Sequence, residues 1–110
     1  MAESLDFTRS VNVNIKIAED RIFDAILDFS RSDDGEVDFS GKDIKMVIYD
    51  KRRVNILYTL ESGVEITILT NRLTFNTTLD NLRPDVHSYR LYNETDNVAI
   101  AWGYVMVEWG

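Results

Sequence analysis

The chain has 110 residues, the commonest size for one domain and enough to bury about two-thirds of its unfolded surface. Its 45% hydrophobic and 28% charged residues exclude disorder, and a net charge of −7 sets the average surface against nucleic acid and acidic membranes. With no cysteine, it has no disulfide framework, no thiolate metal site and no cysteine nucleophile.

The first ten residues are polar and mixed in charge, without the basic and then apolar layout of a secretory signal. They are expected to be a flexible lead-in to one domain over residues 11–110. No stretch reaches the roughly 18 apolar residues of a membrane-spanning helix. The expected location is therefore the cytosol on synthesis, with incorporation into a particle as the way out of it.

Val11, Val13, Ile15 and Ile17 alternate with Asn12, Asn14 and Lys16, the pattern of a strand with one face on a core. Over residues 21–29 two periods compete. Ile22, Phe23, Ile26 and Leu27 fit a helix behind Glu19-Asp20, whereas Phe23, Ala25, Leu27 and Phe29 fit a strand. A strand would leave Ala18-Glu19-Asp20 as a short hairpin loop and Arg31 to Val37 as the next turn.

Ile44, Met46 and Ile48 form the next alternating run, and Val54, Ile56, Tyr58 and Leu60 answer it beyond the basic triplet Lys51-Arg52-Arg53, read as a solvated hairpin tip. Glu61-Ser62-Gly63 breaks the pattern. Val64, Ile66 and Ile68 then pair with Leu73, Phe75 and Thr77 across a tight turn at Asn71-Arg72. Pro84, the one proline, marks a connection, since it cannot donate to a ladder. Tyr89, five residues later, is placed for a tyrosine corner, with its hydroxyl bonding back to upstream backbone, and shares a strand face with His87 and Leu91.

Val98 to Trp109 is the most apolar run. Val98, Ile100, Trp102, Tyr104 and Met106 share one face; Ala99, Ala101, Gly103, Val105, Val107 and Trp109 share the other. A strand apolar on both faces is covered on both. Either its small residues are tucked beneath a loop of the same chain, the commoner arrangement in single chains, or the strand carries a patch kept for a partner. Seven to eight short strands with regularly spaced turns and no long helix predict an all-β, antiparallel β-sandwich.

One passage adds a resemblance. Phe23 to Phe29, the turn Asp34-Gly35-Glu36-Val37 and the step Asp38-Phe39-Ser40-Gly41 leading into a strand resemble the opening of immunoglobulin-like domains of phage and prophage tail or baseplate proteins, such as the amino-terminal domain of baseplate upper proteins. His87 to Tyr92 is similar to the family's tyrosine-containing strand, and Trp102 to Val107 to its last, glycine-containing strand. The glycine usual before the tyrosine-containing strand is replaced here by Asp85-Val86-His87, and the loop before Phe23 has Glu19-Asp20 where glycine is common. The resemblance implies an immunoglobulin-like sandwich with a structural role and no active site to carry over.

The residues themselves offer little chemistry. His87 is the one histidine, and Ser88 beside it would point to the opposite strand face, so the two make no nucleophile and base pair. Asp33, Asp34, Glu36 and Asp38 around Gly35 gather oxygens that suit calcium, but without the EF-hand spacing; a solvated acidic turn is the plainer reading. Asn76-Thr77-Thr78 and Asn93-Glu94-Thr95 match the glycosylation tripeptide without a secretory signal to use it. Phosphate-binding glycine loops are missing.

The sequence thus predicts a non-enzymatic protein with no cofactor and no metal, and with protein partners, other copies or particle components. Its candidate face is Trp102, Tyr104 and Trp109. The alternative is a carbohydrate-binding sandwich that stacks the same aromatics on sugar rings.

Overall fold

The computed structural model describes residues 2–6, 10–18, 22–30, 37–50, 52, 54–79, 82 and 85–107. Ten strands follow in chain order: β1 (Ala2–Asp6), β2 (Val11–Asn12), β3 (Ile15–Ile17), β4 (Ile22–Ser30), β5 (Ile44–Tyr49), β6 (Ile56–Glu61), β7 (Ile66–Leu69), β8 (Arg72–Thr78), β9 (Val86–Asn93) and β10 (Val98–Val107). They form two sheets, β1-β4-β8-β7 and β2-β10-β9-β5-β6, with β3 also on β10. The fold is an all-β sandwich. Three hairpins, β5–β6, β7–β8 and β9–β10, stay within a sheet, and the other links from β3 onward cross between sheets.

Each sheet turns its period-two apolar residues inward. Phe23, Leu27 and Phe29 of β4 and Leu73 and Phe75 of β8 meet Ile44, Met46 and Ile48 of β5 and Tyr89 and Leu91 of β9, all buried. The Phe23 and Phe75 rings stack with centroids 5.1 Å apart, and Phe29 meets Phe39 edge-on at 5.5 Å.

Several expectations change. Residues 22–30 are strand, because a helix would bury only part of the row Phe23, Leu27 and Phe29 that the opposing sheet covers. Ala18 begins no hairpin: β3 lies on β10 in one sheet and β4 between β1 and β8 in the other, so the chain crosses the sandwich there. The expected first strand over Val11 to Ile17 is interrupted at Val13-Asn14. Residues 2–6, expected to be a flexible lead-in, form β1, parallel to β4, with Ala2 opposite Ile26 and Asp6 opposite Ser30.

The sandwich is not wholly antiparallel either, since β2 and β3 run parallel to β10. Nearly the whole chain separates these partners, so no hairpin dictates their direction. The tight turn falls one residue early, at Thr70-Asn71, where Thr70 takes φ 54° and the Asn71 side-chain amide donates to Phe29 O at 2.7 Å. Among the described residues no helix is long and apolar enough to cross a membrane.

Candidate interaction face

The site is built on β10. Its ladder with β9 shifts register between Ala99 and Ala101, so Ile100 and Ala101 are both buried. Beyond that bulge the alternation resumes: Gly103, Val105 and Val107 face the core, and Trp102, Tyr104 and Met106 face out, 45%, 49% and 39% exposed. The expected face of Val98, Ile100, Trp102, Tyr104 and Met106 is therefore broken at Ile100. The small-residue face is covered within the chain, with Ala101 buried and Gly103 beneath the Val13-Asn14 segment, whereas the row Trp102, Tyr104 and Met106 is left exposed. Trp109 lies outside the described residues.

The backbone beneath the aromatic row is held by the interruption between β2 and β3. Val13 N–H donates to Trp102 O at 3.0 Å, and the Asn12 side-chain amide reaches the same oxygen at 3.3 Å. Asn14 Oδ1 accepts from Tyr104 N–H at 3.1 Å. So close an approach needs Gly103, with φ 156°: a Cβ there would collide with the Val13 carbonyl and lie 2.9 Å from Asn14 Oδ1. Tyr89, directly opposite Gly103 on β9, fills the space, and its hydroxyl donates to Val13 O at 2.5 Å. That partner lies 76 residues upstream in the chain; Pro84, from which the tyrosine corner is expected, is outside the described residues.

Cross-strand register sets what surrounds the row. Trp102 is opposite Arg90, which is opposite Val47; Tyr104 is opposite Ser88, which is opposite Tyr49. Tyr92 lies two residues from Arg90 on the same face. Val47 and Ser88, short side chains in the middle, are buried although they point outward. The result is four aromatic rings and Met106 around Arg90, whose guanidinium has no ion pair or hydrogen bond among the described residues. A shallow cavity of about 270 Å³ opens between Tyr49, Arg90, Tyr92, Asn97 and the start of β10 at Val98 and Ala99.

Paired charges border this face. Lys45 Nζ lies 2.5 Å from Glu94 and 3.7 Å from Glu61, and the hydrogen bond to Glu94 holds its ammonium above the usual lysine range. The outer face of the other sheet is mixed, with Ile22 and Leu69 exposed among polar pairs. Asp24 is opposite Asn76, Ile26 opposite Thr74, and Asp28 opposite Arg72, which grips it through Nε at 2.6 Å and Nη2 at 3.0 Å.

The remaining sequence candidates separate. His87 is buried on the core side and Ser88 on the outer side, so they are not brought together. Asp33, Asp34 and Glu36 lie outside the described residues. Asp38, of the same acidic run, caps a turn: its Oδ1 accepts from Ser40 N–H at 2.9 Å, and Gly41 follows at φ 75°. Bonding to Ser40 keeps this carboxyl below its ordinary range. Among the described residues no three acidic or histidine side chains are grouped to hold a metal ion.

Sequence reasoning found Trp102 and Tyr104 but missed Tyr49, Arg90 and Tyr92. The available signal was their outward parity on two runs already read as strands; the missing knowledge was that those strands are neighbours. No protein-family model matches the chain, and no curated protein matches it either.

Proposed function

We propose that the chain is a non-enzymatic assembly module, a structural protein of a phage or prophage particle, and that it docks neighbouring proteins through the outer face of its six-stranded sheet. The observation that carries this reading is the exposed row Trp102, Tyr104 and Met106 around Arg90, which has no ion pair or hydrogen bond among the described residues. Tryptophan, tyrosine and arginine dominate the energy of protein interfaces, where large rings bury area at low entropic cost.

The particle context comes from the resemblance, and the strand order supports it. Strands β4-β8-β7 against β10-β9-β5-β6 follow the B-E-D and G-F-C-C′ order of immunoglobulin sandwiches, with β2 and β3 added beside the last strand. Co-expression with the products of the adjacent reading frames tests the proposal. A stable complex with a tail or baseplate component, lost in the double variant Trp102→Ser/Tyr104→Ser, is expected. Failure to form any complex, or a complex indifferent to the double variant, overturns it.

The cavity between Tyr49, Arg90 and Tyr92 favours a second reading, sugar binding on the same face. Tryptophan fluorescence against a glycan panel separates the two. Saturable quenching that disappears in Tyr92→Ala supports sugar binding, and a flat response removes it.

A further inference from the structure

We infer that β6 is a self-pairing edge, through which two copies of the chain join their six-stranded sheets in antiparallel register about Thr59. This stands apart from the use proposed for the aromatic face. Of the two edges of that sheet, the β2–β3 edge is broken at Val13-Asn14 and carries Lys16, the devices by which proteins blunt an edge. Strand β6 is unbroken over six residues and has neither proline nor lysine. Its ladder with β5 is irregular only opposite Tyr49, at the Ile56 end.

The backbone shows where the free groups lie. Ser62 N–H donates to Ile44 O, so the alternation of an antiparallel ladder turns Leu60 toward β5 and Thr59 and Glu61 away from it. Glu61 N–H is already taken by Glu65 Oε1 at 3.0 Å. Thr59 is left to bond a strand from outside, between Ile56 and Leu57, 61% and 41% exposed, and the turn beyond Glu61.

Charge identifies the occupant as a second copy. In a chain of net charge −7, the one basic triplet, Lys51-Arg52-Arg53, precedes the edge strand, and Glu61 and Glu65 follow it. An antiparallel two-fold pair sets the Arg52 loop of each copy beside the Glu61–Glu65 turn of the other, twice over, so the local charges attract although the two molecules repel overall. The same axis, perpendicular to the joined sheet, leaves both aromatic faces on one side. The contact is small, so the dimer is reversible and depends on concentration.

Sedimentation equilibrium and amide hydrogen exchange of the wild-type chain, from about 1 μM to about 1 mM, test the inference. The expected result is a monomer–dimer equilibrium in which the Thr59 amide gains about tenfold protection or more as dimer accumulates. Thr59→Pro, which removes an N–H that β5 does not use, is expected to be monomeric with an unchanged far-ultraviolet spectrum. Arg52→Glu, felt at two places, should weaken dimerisation by about tenfold at low salt, and Arg52→Glu/Glu61→Arg should recover it. A chain that stays monomeric at the top of that range, a folded Thr59→Pro that still dimerises, or a wild-type dimer whose Thr59 amide exchanges at the monomer rate overturns the inference.

Discussion

Gly103 is the residue whose side chain matters by being absent. The carbonyl of Val13 occupies the place of its Cβ, and Tyr89 spans the gap to bond that carbonyl from within the core. Gly103→Ala must push the β2–β3 segment off β10, which removes the bonds from Val13 and Asn12 to Trp102 O and from Tyr104 N–H to Asn14. A loss of about 2–4 kcal/mol is expected in urea unfolding, because backbone cannot yield as a flexible side chain can. Tyr89→Phe keeps the ring but leaves the Val13 carbonyl short of a buried partner, with an expected loss of about 1–2 kcal/mol. In the double variant the two losses should not add, since either one already frees the same oxygen. Additive losses would place Tyr89 and Gly103 in separate roles.

At the scale of elements, the outer face of the four-stranded sheet is joined by direct cross-strand pairs, of which Asp28 and Arg72 form the charged one. Arg72 holds the Asp28 carboxyl below its ordinary range, and the backbone N–H of Val54 and the Asn55 amide do the same for Asp50. A carboxyl depressed in the folded state favours folding above the unfolded value, about 4, and this contribution disappears as pH falls through the lower folded value. The thermal midpoint should therefore be flat from neutral pH to about 5 and fall below about 4. Asp28→Asn should flatten that fall and lower the midpoint at neutral pH; an unchanged acid slope would exclude the pair as a contributor. The strands themselves were legible in the sequence because their inward residues alternate without error from Ile44 to Ile48 and from Leu73 to Phe75. What alternation cannot carry is a bulge or a neighbour. The bulge turned Ile100 alone of the expected face inward, and Arg90 gained its aromatic surroundings only through pairing with β10 and β5. Residues 22–30 were undecided for a related reason, since Phe23 and Leu27 satisfy both periods and only the opposing sheet chooses between them.

For the molecule as a whole, β10 is the strand that connects the two ends of the chain. It pairs with β9 through a local hairpin and with β2 and β3 from some 90 residues away, so the six-stranded sheet has no continuous path to its N-terminal edge without it. The core cannot close until the last strand is made, because Ile100, Ala101, Val105 and Val107 are buried between the sheets. A chain ending at Asn97 should consequently give the far-ultraviolet spectrum of an unfolded polypeptide, although most of the core residues lie before that point. Folding of the complete chain must bring distant segments together before most contacts reward it, which places it on the scale of about milliseconds to seconds. Stopped-flow dichroism should show this as a single phase, and Gly103→Ala, which acts on the most distant pairing, should chiefly accelerate unfolding if β2 and β3 dock after the transition state. A refolding rate slowed in full proportion to the lost stability would instead mean that the two ends meet first and nucleate the sandwich.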